Sequence, residues 1–318
     1  MPLVVVGPTP PPPLPPPAPP APPPPVGTMR ATWTAPDGTL WDLSSPDPNH
    51  GWLTTNGIGG WGATPIEIVA DPDARGGEQV RTIRSLPRRL TWPLHIHGEQ
   101  DGVVTHMTFV HRYRALMRAF TQTTQWGRPG VLRVSRPDGT AREIEAFYET
   151  GFGGEPGENW VYANPVLTLY CPDGYWRDAT PISVERSFVQ GVPYLDPYPT
   201  VSSGRVLGET TIMNPGDVDA WPTWTITGPA ESLVATNNSA GQSFTLTYTL
   251  GAGETATIRT QRPMLRGPNG ENIVGALGWP SAQLWPLRPG NNDVDFQVTG
   301  SGPGTSIVLE FYPRYEAA

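Results

Sequence analysis

Two sets of side chains in this 318-residue sequence could carry acid–base or metal chemistry. His95 and His97 alternate along RRLTWPLHIHG, so both imidazoles leave the same face of an expected strand, and His106 and His111 follow soon after. A zinc centre needs further ligands converging on the same point, and no spacing here supplies them. These histidines therefore read as structural or solvent-facing. Asp217/Asp219 and Asp293/Asp295 are paired carboxylates, the residue types that hydrolyse glycosides when they flank a scissile bond. Neighbours on one strand face do not create that separation. Motifs of the GxSxG, P-loop and HExxH types are absent. The single cysteine, Cys171, sits in the apolar run VLTLYC and reads as a small buried hydrophobe. The expectation is a protein with no catalytic residues, no metal and no cofactor, and not an enzyme.

The elements that would position these residues are mostly strands. Val294, Phe296 and Val298 alternate with polar neighbours, as do Ile307, Leu309 and Phe311, and Phe244, Leu246, Tyr248 and Leu250 alternate with threonines. This is the period of half-buried antiparallel strands, and the Gly/Pro/Asn turns between them suit a sandwich or jelly roll. Further strands are expected at 88–98 and in GVLRV, REIEAFY and NPVLTLYC, with Asp37-Gly38 and Asp138-Gly139 at turns. One helix is expected over 107–121, where Phe109, Val110, Tyr113, Leu116, Met117 and Phe120 form a single apolar stripe.

The net charge of −8 argues against a nucleic-acid partner, whose phosphates reward a basic face. Charged residues are 16% of the chain, which suits permanent interfaces, where charge is depleted. No stretch of 18 apolar residues is present, so no membrane span is expected, and the start MPLVVVG lacks the basic region of a signal peptide.

Four segments emerge. Residues 1–27 form a proline-rich extended arm, with 14 prolines between positions 8 and 25. Such a run is held in polyproline II and spans roughly 55 Å at about 3.1 Å per residue. It would carry the β-branched Leu3, Val4, Val5 and Val6 to a neighbour's sheet edge. Residues 28–188 form an α+β domain, 189–200 a stiff linker, and 201–318 the antiparallel β-sandwich.

Twelve tryptophans offer large amphipathic contact areas. Trp52 and Trp61 lie in a Gly/Asn-rich loop at 46–64 and are candidate interface anchors. Trp224 alternates with Ile226 and reads as core. Trp221, Trp279 and Trp285 stand beside proline-containing turns, where exposed indoles could contact a glycan.

The order of these segments resembles the distal tail proteins of long, flexible-tailed phages. GGEQVRTIRSLPRRLTWPLHIHG leads into a helix and then into strands with a DG turn. Asp173, Tyr175 and Trp176 fall where the family has a dPyW-type motif, with Gly174 in place of its proline. Asn214, Gly216, Asp217, Ala220, Pro222, Ile226 and Gly228 follow the family's N-x-G-d-x-x-a-x-P-x-x-x-I-x-G pattern. Segments similar to its later glycine turns come after, although Arg259 stands where an acid is common. The likeness covers about residues 30–315.

It implies a mainly β protein of the virion, at the distal end of the tail. Its N-terminal domain would be β-barrel-like with one packed helix, and would form a ring, usually a hexamer. Its C-terminal sandwich would be jelly-roll or galectin-like and project outward. The ring would join the tail tube protein to the tail hub and anchor side-fibre or receptor-binding proteins. Nucleic acid would be met only in the channel, and no membrane. The alternative is a carbohydrate-binding host-adhesion module carried by the sandwich.

Overall fold

The computed structural model describes residues 27, 29–45, 47, 49–153, 160–188 and 206–318. Leu3, Val4, Val5 and Val6, nearly all of the proline-rich segment, and the 189–200 linker lie outside the described residues. Among those described, the chain is mainly antiparallel β with one α-helix, the class read from the sequence.

The N-terminal sheet takes its order from pairings distant in sequence. Arg88–His97 lies between Tyr162–Ala163 and Val166–Cys171; Ala141–Thr150, Gly130–Ser135, Arg30–Thr34 and Leu40–Asp42 continue the sheet. Trp33 pairs with Trp41 across the Asp37-Gly38 turn, as the dipeptide implies. The inward set along Arg88–His97, namely Leu90, Trp92, Leu94 and Ile96, is completely buried.

Helix α1 (His106–Trp126) closes that core. Thr105 caps it by accepting from the Thr108 amide at 3.2 Å, and Gly127 ends it in the left-handed region at φ 61°. The apolar stripe delivers Phe109, Val110, Tyr113, Leu116 and Phe120 to the sheet, with Trp33 stacked on Phe120 at 4.6 Å. The helix runs past the expected 121 because a polar residue takes over: Thr123 is fully buried and its hydroxyl accepts from the Tyr148 amide.

The C-terminal sandwich places a five-stranded sheet (Ile182–Ser187, Ser306–Phe311, Thr223–Thr227, Thr255–Arg259, Met264–Arg266) over a four-stranded one (Val206–Asn214, Gly290–Thr299, Ala230–Asn237, Gln242–Leu250). The alternating sets meet between them. At the centre Trp224 stands edge-on to Phe244, Trp285 and Phe296, with centroids 5.1–5.5 Å away. The two halves exchange strands: Ile182–Ser187 pairs with Ser306–Phe311 in the sandwich, and Arg314–Tyr315 returns to Trp176–Asp178 of the N-terminal sheet.

Candidate functional site: a clamped hairpin arm and an interdomain strap

Two hairpins among the described residues join neither sheet: a short one, Glu99–Gln100 with Val103–Val104, and a long one. Ile66–Pro72 and Glu78–Ser85 pair only with each other, around a turn in which Gly76 and Gly77 both take positive φ, 96° and 89°. Register gives it two unlike faces. Ile68 lies opposite Ile83 and Ala70 opposite Val80, so Ile66, Ile68, Val80 and Ile83 share one face, each 54–59% exposed. Glu67 lies opposite Arg84 on the other face and pairs with it, and Arg81 pairs with Asp71 at 2.6 Å. This is an amphipathic hairpin with its apolar side open. The sequence reading passed over it because charges interrupt its apolar pattern, although the Gly76-Gly77 pair and the flanking Ile and Val alternation were there to be read.

The base of the hairpin is rigid. Leu86 donates its amide to Pro65, and the Arg88 guanidinium beside it is 1% exposed. Its nitrogens donate to the carbonyls of Gly60, Gly62, Gly174 and Glu316 and to Thr64 Oγ1, all at 2.7–2.8 Å. Burial pushes the Arg88 pKa down, yet the five contacts satisfy the planar fork. The Glu316 carboxylate accepts from the Thr64 amide at 2.7 Å. Gly174 can only be glycine here, since a Cβ would lie 2.4 Å from Thr64 Cγ2 and 2.7 Å from the Leu86 carbonyl oxygen.

Glu316 belongs to a strap that ties the two family-like motifs together. From the 173–176 turn, Asp173 accepts twice from Arg314, at 2.6 and 2.8 Å, while Tyr175 lies under the same guanidinium at 4.6 Å and Trp176 is buried. From the 214–217 turn, the Asp217 carboxylate accepts from the Glu316 amide, and its own amide donates to the Arg314 carbonyl at 2.8 Å. Asn214 is buried, holding its own turn through Gly216 N–H and donating to the Val218 and Leu287 carbonyls. A Cβ on Gly216 would lie 2.5 Å from the Arg314 carbonyl oxygen. Beyond Arg314, Tyr315 lies under Arg142 and donates its hydroxyl to Asp178 at 2.9 Å; burial, then that bond, pushes its pKa up to about 12. Ala317 and Ala318 accept from Arg142 and Arg136, and Ala318 is buried in the N-terminal core.

The candidate residues fall in different places. Trp52 and Trp61 pack partly buried against their own domain, so the loop holding them is anchored in cis. Trp52 donates to the Asp42 carbonyl at 2.8 Å, and Trp61 stacks on Trp92 at 5.5 Å. Trp285 is completely buried in the sandwich centre against Trp224 and Phe244, which removes it from any glycan-contact set. Trp279 is 59% exposed and Trp221 half-buried. His95 and His97 stack on each other at 5.7 Å, His106 binds the Trp160 carbonyl, and His111 is exposed. Among the described residues no three His, Cys, Asp or Glu gather as metal ligands. Asp217 serves the strap, and Asp293 accepts from Thr211. Cys171 is buried, and burial pushes its thiol up to about 12.

Residues 215–315 match the family model for the siphovirus-type tail component, C-terminal domain. Its C-terminal part is thus similar to the Dit-type tail components of siphoviruses. The whole fold agrees with this: it superposes on the Dit protein of phage SPP1, described as a paradigm of the hub adsorption apparatus in phages infecting Gram-positive hosts. That match has a TM-score of 0.62 at 16% identity and covers 91% of this chain and 99% of that one. A chain of the phage p2 baseplate in its activated conformation gives a TM-score of 0.54 at 10% identity, over 92% of this chain and 100% of that one. No curated protein matches the sequence. The match to the family model begins inside the Asn214–Asp217 turn and ends at Tyr315, so it spans most of the turn that grips the strap and most of the strap itself.

Proposed function

We propose that this Dit-like component forms a closed ring of identical copies, of the hexameric kind, at the distal end of the tail. The ring joins the tail tube protein to the tail hub, and the sandwich presents an outer surface that anchors side-fibre or receptor-binding proteins. The role is structural, not catalytic. The observation that carries the reading is the hairpin arm. A two-stranded ribbon is marginal alone in water, and one that leaves four β-branched residues exposed on one face needs a surface to cover them. A neighbouring copy meets that need in a head-to-tail interface, the kind that closes into a ring. The Arg88 clamp supports this by fixing where the arm starts, so each copy presents it at the same angle.

The test is the mass of the purified protein in solution, with imaging of the particles. A multimer with a central channel is expected for the wild-type chain. Ile68→Asp combined with Ile83→Asp should give folded monomers with an unchanged circular-dichroism spectrum. Rings that persist in that variant would exclude the arm as the closing element, and a wild-type monomer at high concentration would exclude the ring.

A further inference from the structure

Between the two halves lies a cleft of about 680 Å3, lined by both domains and by the strap. Its sandwich wall is set by register. Thr223 pairs with Arg259, and Arg259 with Met264, while Trp224 and Ile258 on the same strands point into the core. Thr223 and Arg259 therefore face outward, and continuing the alternation puts Trp221 and Gln261 beside them. Trp221, Arg259, Gln261 and Arg262 all line the cleft.

The charges of the opposite wall are spoken for. Arg314 is bound to Asp173 and covers Tyr175. Arg177 binds Glu145 at 3.1 Å, lies 3.9 Å from Glu143 and covers Tyr312. Arg259 and Arg262, by contrast, make no ion pair and no side-chain hydrogen bond among the described residues, and both are exposed. No ring or cation stacks on Trp221, and its indole N–H has no partner there. Gln261 makes only a long contact, 3.4 Å, to Asp173.

From this we infer that the cleft binds a carboxylate-bearing saccharide. The indole face takes the C–H face of a sugar ring, the two guanidinium forks take its carboxylate, and Gln261 and Thr223 meet its hydroxyls. A sugar fits better than an acidic peptide, because the cationic wall presents one open aromatic face and polar donors and not a row of apolar side-chain pockets. The site is separate from the arm and stands whether or not the ring forms.

Titrating the full-length protein with trigalacturonate, followed by Trp fluorescence and calorimetry, tests it. Saturable binding is expected, weakened about tenfold or more in Trp221→Ala and in Arg262→Ala. Maltotriose, which lacks the carboxylate, should bind about tenfold more weakly. Trp279→Ala should bind as the wild type does, and the multimer mass should be unchanged in every variant. Absence of saturation, equal binding by the Trp221 and Arg262 variants, or equal binding of a hexaglutamate peptide would overturn the assignment.

Discussion

The hairpin arm and the sandwich hairpin formed by Ala230–Asn237 and Gln242–Leu250 are built from the same pattern and meet opposite fates. In each, β-branched and other apolar residues alternate with polar ones, and in each the apolar set gathers on one face through antiparallel register. In the sandwich hairpin, Leu233, Ala235, Phe244 and Leu246 are at most 3% exposed, because a second sheet covers the face opposite their polar neighbours. In the arm, Ile66, Ile68, Val80 and Ile83 keep more than half of their surface in water. Alternation decides that a segment is a strand, but the element across from it decides whether the apolar face is a core or an interface.

This contrast can be attacked first where burial is deepest. Trp224→Ala removes the centre of the aromatic cluster and should cost about 3–5 kcal/mol, read as a fall in the denaturant midpoint. Should the loss instead be as small as that of an exposed residue, the sandwich would not be the dense partner that distinguishes the two hairpins.

Next comes the base of the arm. Arg88→Met leaves the carbonyls of Gly60, Gly62, Gly174 and Glu316 without their donor in a buried site, a loss of about 3 kcal/mol. Hydrogen exchange should speed up at residues 60–64 and 86–88, whereas exchange in the 230–250 hairpin should stay as slow as in the wild type.

Alkaline pH separates the strap from both hairpins. The Tyr315 pKa is raised to about 12 in the folded protein, above the ordinary value of 10.0. A group with a raised folded pKa contributes stability that is complete below its unfolded pKa and lost as pH rises through the folded one. Stability should therefore decline between pH 10 and pH 12, and Tyr315→Phe should flatten that limb of the pH curve while leaving neutral pH little changed.

The smallest effect on the fold belongs to the arm itself. Ile83→Asp should alter monomer stability by no more than about 0.5 kcal/mol, since the position is exposed within the chain. Its effect on assembly mass should be large. Equal and large losses in both measurements would mean that the arm folds back onto its own chain, and the comparison between the hairpins would fail.

Much of the fold was legible in the residues. The helical stripe from Phe109 to Phe120 fixed α1 and its buried side, and its end at Phe120 misplaced the C-terminus because the sequence does not show that Thr123 bonds to Tyr148. The alternations at 244–250, 294–298 and 307–311 gave sandwich strands whose inward residues are buried, apart from Tyr248, which is only partly so. The candidate site was legible only in pieces. Asp173, Gly216 and Asp217 stood out as motif residues, but their common partner is the Arg314–Glu316 strap, more than ninety positions from either turn.

The sequence by itself determined many of the local states: most of the sheet strands, the turns at Asp37-Gly38 and Asp138-Gly139, and which face of α1 is apolar. These follow from backbone sterics and from periods of two and 3.6 residues, which act over a few neighbours. Only the tertiary structure decided that Trp285 is core while Trp221 opens on a cleft, that Arg88 anchors the arm, and that Arg314 joins the halves. Each of these depends on which distant groups are brought within a few ångströms, because hydrogen bonding and exclusion of water are set by contact and not by order along the chain.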